Sequence, residues 1–157
     1  MTIALDEAMA LITLEADLLD HGAYHEWLAL YTPEAKYIVP IDPDQEDFEA
    51  TLNYAYDDAA MRRKRVARLL GGRSISAAPP ARTIRLLGRA RMLECGAASC
   101  TVRCAQLLKE LRQHRVRDYA ANLTYRLART SDGLRIDRKV IRLLDATEAL
   151  TAVSYIL

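Results

Sequence analysis

Residue types able to do chemistry are present in this sequence but are not grouped into a recognisable motif. His21 and His25 stand four apart, a spacing that lets two imidazoles on one helix face share a metal ion. Gly22 lies between them and no third ligand is placed by the sequence, so two histidines near the negative end of a helix dipole are the plainer reading. Acid-base catalysis needs only a carboxylate or imidazole and a tyrosine in one pocket, and imposes no spacing. Asp57, Asp118, His114, Tyr37, Tyr54, Tyr56, Tyr119 and Tyr125 qualify, with hydrogen bonding in a core or an interface as their ordinary alternative. Ser74, Ser76 and Ser99 have no nucleophile-elbow residues around them. Cys95, Cys100 and Cys104 are odd in number and lack C-x-x-C spacing, so reduced, half-buried thiols are expected. Gly71-Gly72 is not followed by the lysine and helix of a phosphate-binding loop.

The densest charge lies in "DDAAMRRKRVARLLGG", Asp57 to Gly72, where Arg62, Arg63, Lys64, Arg65 and Arg68 fall within eight residues. Asp57 or Asp58 suits a helix N-cap and the glycine pair a left-handed stop, which predicts a third helix of about 13 residues burying Met61, Val66, Leu69 and Leu70. A nucleic-acid grip would need a net positive domain and exposed stacking aromatics. Arg65 and Arg68 instead share a side with Met61 and Leu69, so some arginines should point into protein and meet carboxylates.

These residues need elements to position them. Leu5, Met9, Ile12, Ala16 and Leu19 form an apolar stripe at helical period, predicting helix one to about Asp20. Gly22 interrupts it, and Tyr24, Trp27, Leu28 and Tyr31 predict a second short helix before Thr32-Pro33. "AKYIVPI" reads as a strand, with Pro40 favouring an edge or strand end. The acidic "DPDQEDFE" reads as a solvated loop and a possible source of partners for the basic helix, and "RSISAAPPA" as a second loop. From Arg82 the even positions Ile84, Leu86, Gly88, Ala90 and Met92 predict a buried face and the odd positions a basic one, with a bend at Gly88. Ser99 to Arg112 suits strand or helix, and strand is chosen. Tyr119, Ala121, Leu123, Tyr125 and Leu127 share one parity, and "TSDG" turns that strand into "LRIDRKVIRLL". The order predicts an α+β domain, an antiparallel sheet with helices on one face, spanning residues 1–157 without repeat or linker.

At 157 residues the chain can bury about two-thirds of its unfolded surface. Its net charge of +1 gives no global bias toward nucleic acid or anionic membrane. Arginines number 18 and lysines four, a bias that bidentate pairing with carboxylates or genome composition would equally produce. Asp6, Glu7, Glu15 and Asp17 break the apolar residues of the first helix, so it reads neither as a signal peptide nor as a span, and a cytoplasmic location is expected.

Four stretches in this order, "ADLLDHGAYHEWLALYTPEAKYIVP", "YDDAAMRRKRVARLLGG", "PPART" and "DGLRIDRKVIRLLD", give the chain its resemblance. It resembles the small, or beta, subunit of Rieske-type aromatic-ring-hydroxylating dioxygenases over nearly its whole length. Where that family typically has Pro-Pro-Ser-Arg-Thr-Arg, Ala81 and Ile84 replace the serine and second arginine, and an asparagine often found near the C-terminal end is missing.

The resemblance implies a cone-shaped, strongly curved sheet like that of nuclear transport factor 2 and scytalone dehydratase. It also implies a non-catalytic scaffold, trimeric within a hexamer, under large (alpha) subunits that carry a [2Fe–2S] cluster and mononuclear Fe(II). Those subunits use electrons from NAD(P)H to cis-dihydroxylate an aromatic ring in catabolism. With three histidines and no C-x-H, this chain can supply neither iron site. Arg65, Arg68 and Arg82, with Asp57 and Asp58, are then the expected paired, partly buried groups of an internal and intersubunit arginine clamp. Two alternatives stay open. One is a small dehydratase, isomerase or cyclase working through Asp57, His114 or Tyr56 in the cone; the other is a ligand-binding module without chemistry.

Overall fold

The computed structural model describes residues 1–71, 81–145 and 156–157. Gly72, Ser74, Ser76, the "RSISAAPP" loop and most of the C-terminal stretch lie outside the described residues. Helix α1 (Leu5–Asp20) and short helix α2 (Tyr24–Leu28) precede strand β1 (Tyr31–Pro40) and strand β2 (Asn53–Asp57). Helix α3 (Ala59–Leu70) follows, then the long strands β3 (Arg82–Cys95), β4 (Ser99–Arg112), β5 (Arg115–Thr130) and β6 (Gly133–Leu143).

The six strands form one sheet in the order β2-β1-β6-β5-β4-β3. Every neighbouring pair is antiparallel except β1 and β6, which run parallel, so the sheet is mixed rather than wholly antiparallel. The helices cover one face, where Tyr119, Ala121, Leu123, Tyr125 and Leu127 of β5 alternate inward as their parity predicts. On the opposite face the acidic loop after β1 sends Phe48 down onto Ile38 and Val140.

Local signals explain most boundaries. Gly22 takes φ +68 and closes α1 with two bonds, its own N–H to Leu19 and that of Ala23 to Leu18, a left-handed stop that only glycine adopts freely. Asp58 caps α3 by accepting the Met61 N–H at 2.9 Å. The far end of α3 departs from expectation: Gly71 keeps φ −83 and closes on the Ala67 carbonyl, so the left-handed stop is not at that residue. Tyr31 departs too, since α2 ends at Leu28 and Tyr31 already pairs with Ile136 as the first residue of β1.

Strand β3 inverts its expected faces. Thr83, Arg85 and Leu87 turn toward the helix side, while Ile84 and Leu86 face away and are 66% and 67% exposed. Between Gly88 and Arg91 an extra residue enters the pairing with β4, and Arg89 sits at φ +53. That bulge restores even parity, so Ala90 and Met92 do pack against the core. Where a bend at Gly88 was expected, the strand changes register just after it.

Candidate functional site

Two regions stand out, one inside the fold and one on its open face. Inside, Glu15 of α1 is buried with Lys139 of β6, each 1% exposed. One Glu15 carboxylate oxygen accepts from Tyr125 Oη at 2.6 Å and from Lys139 Nζ at 3.0 Å. The other accepts from Trp27 Nε1 at 3.0 Å and Tyr31 Oη at 2.5 Å. Burial alone would raise the Glu15 pKa, but Lys139 and the two tyrosine hydroxyls outweigh it and hold the carboxyl below its usual range. Burial pulls the Lys139 ammonium down against the pull of Glu15. Tyr31 and Tyr125 are pushed well up by burial and by the adjacent carboxylate, so both stay protonated donors.

Leu157 lies against the cluster with its carbonyl accepting from Lys139 Nζ at 2.7 Å and its N–H donating to Tyr37 Oη at 2.7 Å. Burial pushes the Tyr37 hydroxyl above its ordinary pKa. Arg85 of β3 donates one guanidinium nitrogen to the Ile156 carbonyl and the other to Asp20 Oδ1, at 2.5 Å, and to Thr83 Oγ1.

Of the arginines and aspartates expected in a clamp, one pair meets within the chain. Arg65 Nε meets the buried Asp57 carboxylate at 2.7 Å. Arg62, one helical turn earlier, is the buried member: it donates to the carbonyls of Ala35 and Thr32 at 2.5 and 3.2 Å and stacks over the Tyr31 ring. Arg68 and Arg82 are exposed, as are Met61 and Leu70, because the face that α3 turns to the protein carries Arg62, Arg65, Val66 and Leu69. Asp58 serves as the α3 cap.

The candidate acid-base residues are not brought together. Tyr56 and Asp57 are consecutive on β2 and point to opposite faces, while His114 sits in the β4–β5 turn at φ +65, across the sheet from both. Asp118 pairs with Lys109 in solvent, Tyr54 is exposed, and Tyr37, Tyr119 and Tyr125 are core residues. His21 bonds back to Asp17, whose carbonyl and carboxylate raise its pKa, and His25 belongs to the next helix. Among the described residues no three His, Cys, Asp or Glu side chains are grouped as a metal site. All three cysteines are free.

Glu15, Lys139, Asp20, Arg62 and Arg85 escaped the sequence reading as site residues. Their signal was present: Glu15 lies three after Ile12 and four after Leu11, within the apolar stripe, and Lys139 shares parity with Ile141 and Leu143. A charge on a buried face implies a partner on the facing element.

The open face of the sheet carries the second region. Ile84 and Leu86 of β3 stand opposite Lys109 and Leu107 of β4, and Leu111 pairs with Val116 of β5. Leu86, Leu107 and Val116 are 67%, 58% and 62% exposed, a strip of large apolar side chains on the side away from the helices. Beside it runs a groove of about 920 Å³ floored by Arg89, Arg103, Arg126, Arg138 and Arg142 and walled by the acidic loop. Arg142 holds that loop through the Pro43 carbonyl and Glu46, and Arg138 and Arg142 both stack on Phe48.

No described helix is long and apolar enough to cross a membrane. A family model described as "Ring hydroxylating beta subunit" matches residues 14–148. The small oxygenase component of the p-cumate 2,3-dioxygenase system of Pseudomonas putida is 33% identical over 139 residues, covering 87% of this chain and 77% of that one. The beta subunit of the benzoate 1,2-dioxygenase of Burkholderia mallei superposes with a TM-score of 0.81 at 24% identity, covering 99% of both chains. An NTF2-like protein with a cystatin-like fold from Novosphingobium aromaticivorans superposes with a TM-score of 0.62 at 17% identity, covering 92% of this chain and 84% of that one. The α+β sheet, its helix-covered face and the family match together show that this chain belongs to the ring-hydroxylating dioxygenase beta subunits, on an NTF2-like fold.

Proposed function

We propose that this chain is the non-catalytic structural small subunit of a multicomponent aromatic-ring-hydroxylating dioxygenase. It acts as a single domain in the cytoplasm, self-associates as a trimer within a hexamer, and holds large subunits in register. Those partners carry the [2Fe–2S] cluster and the mononuclear iron and cis-dihydroxylate the ring with electrons from NAD(P)H. Among the described residues the histidines are separated and two of the three cysteines are buried, an arrangement that suits neither iron site.

The observation that carries the reading is the exposed apolar strip of Ile84, Leu86, Leu107, Leu111 and Val116 on a regular sheet face. A chain that works alone puts polar side chains there, and a strip rimmed by arginines suits a protein partner. The test is co-purification with the large subunit of the same operon, comparing the wild type with Leu86→Lys/Leu107→Glu. These two positions are direct cross-strand partners, so the pair of opposite charges keeps the sheet intact. The double variant is expected to keep its melting temperature within about 2 °C and to lose association with itself or with the large subunit. Unchanged assembly, or turnover of an aromatic or carbonyl substrate by the isolated chain, would refute the reading.

A further inference from the structure

The interior site around Lys139 is built like a receptor, and its occupant is part of the chain. Four elements contribute to it: Glu15 and Asp20 from α1, Tyr37 from β1, Arg85 from β3 and Lys139 from β6. Three of these side chains bond the backbone of Ile156 and Leu157. Tyr37 Oη accepts the Leu157 N–H, Lys139 donates to the Leu157 carbonyl, and Arg85 donates to the Ile156 carbonyl. The two side chains of that stretch are 1% and 5% exposed and join the main apolar cluster.

Charge accounting separates this site from ordinary core packing. Lys139 and Arg85 each have a carboxylate, Glu15 and Asp20, yet each also turns a donor to a backbone carbonyl, and the buried Nε of Arg85 has no hydrogen-bond partner. With Ile156 and Leu157 withdrawn, two buried cations would face an apolar hollow with unmet donors, which is costly and favours any ligand bearing carbonyl or carboxylate oxygen. The rings of Tyr37 and Tyr125 flank the Lys139 ammonium at 5.7 and 5.6 Å and hold it in place whether or not the carbonyl is there.

We infer that the interior of the fold is a latent binding site for a short, extended aliphatic peptide or acyl-amino acid, and that Ile156–Leu157 is its intramolecular occupant. This goes beyond the scaffold role and stands independently of it.

The test deletes Ile156 and Leu157 and adds N-acetyl-isoleucyl-leucine at millimolar concentration. The deletion variant is expected to melt several degrees below the full chain and to recover about 3–6 °C with the peptide, while the full chain does not respond. N-acetyl-glycyl-glycine should give no recovery, and Tyr37→Phe in the deletion variant should weaken the peptide at least about tenfold, since an amide N–H loses the Tyr37 hydroxyl as its acceptor. In the full chain, the Leu157 amide should exchange with deuterium as slowly as the sheet core. A folded deletion variant that ignores the peptide would overturn the inference. So would one that fails to fold even with the peptide present, because the segment would then be obligatory core, and so would a Leu157 amide that exchanges freely.

Discussion

Replacing Lys139 by methionine tests whether the Glu15 cluster is held by charge or by shape. The substitution keeps the volume and removes the cation paired with a carboxylate that is 1% exposed. Breaking a buried pair from one side costs about 3–5 kcal/mol. The lower part of that range applies here, because Trp27, Tyr31 and Tyr125 still donate to Glu15 at 3.0, 2.5 and 2.6 Å. The lost bond to the Leu157 carbonyl adds about 1 kcal/mol. A total near 4 kcal/mol corresponds to a fall in melting temperature of roughly 8–16 °C for a chain of this size. Adding Glu15→Gln to Lys139→Met removes the stranded charge, and the double variant should regain about half the loss.

The pH dependence supplies a second check with a definite sign. In the wild type the folded-state pKa of Glu15 is lowered, so its contribution is present above the ordinary carboxyl range and is lost as pH falls through the folded value. Without Lys139, burial is the larger influence and the folded pKa rises above the unfolded one. The stability deficit of Lys139→Met should therefore shrink as pH falls from 7 to 5, measured by urea unfolding at each pH. A deficit under about 1 kcal/mol at pH 7, or a double variant no more stable than Lys139→Met, would refute the electrostatic account.

Two further predictions concern side chains whose roles the fold separates. Arg62→Met should cost about 2–4 kcal/mol, because it strands the Ala35 and Thr32 carbonyls, whereas Arg68→Ala on the same helix should stay within about 0.5 kcal/mol; urea denaturation of the two side by side decides it. A thiol reagent should label Cys95 rapidly and leave Cys100 and Cys104 unreacted in the native protein, since both are buried and burial pushes the Cys104 thiol up to about 11; three fast thiols would contradict that packing.

Periodic residues were the legible ones. The α1 stripe, the Gly22 stop, the Asp58 cap and the β5 parity each follow from rules that act within a few residues, and each is where the sequence places it. Tyr31 was misplaced because a helical spacing from Tyr24 to Trp27 to Tyr31 also arises when a short helix ends and a strand begins, and only pairing with Ile136 distinguishes the two. In the interior cluster the buried positions of Glu15 and Lys139 were marked by their apolar neighbours, but not their pairing. Two of its contacts, Glu15 with Tyr125 and with Lys139, join residues more than 100 apart, and no local pattern encodes those meetings.

Strand β3 failed for a different and more informative reason. Binary patterning assumes that a strand's apolar parity faces the core of its own chain. Here Arg85 takes an inward place because Asp20 at the end of α1 is there to receive it, and Ile84 and Leu86 are left outside. Burying a guanidinium while exposing isoleucine and leucine gains nothing for an isolated domain, so the arrangement has to be judged over a larger assembly. Under the proposed assembly a partner's surface would be the layer that buries Ile84 and Leu86, and the parity rule would hold across the two chains. The bulge between Gly88 and Arg91 switches the inward parity of the strand: Arg85 and Leu87 before it, and Ala90 and Met92 after it, face the core of this chain.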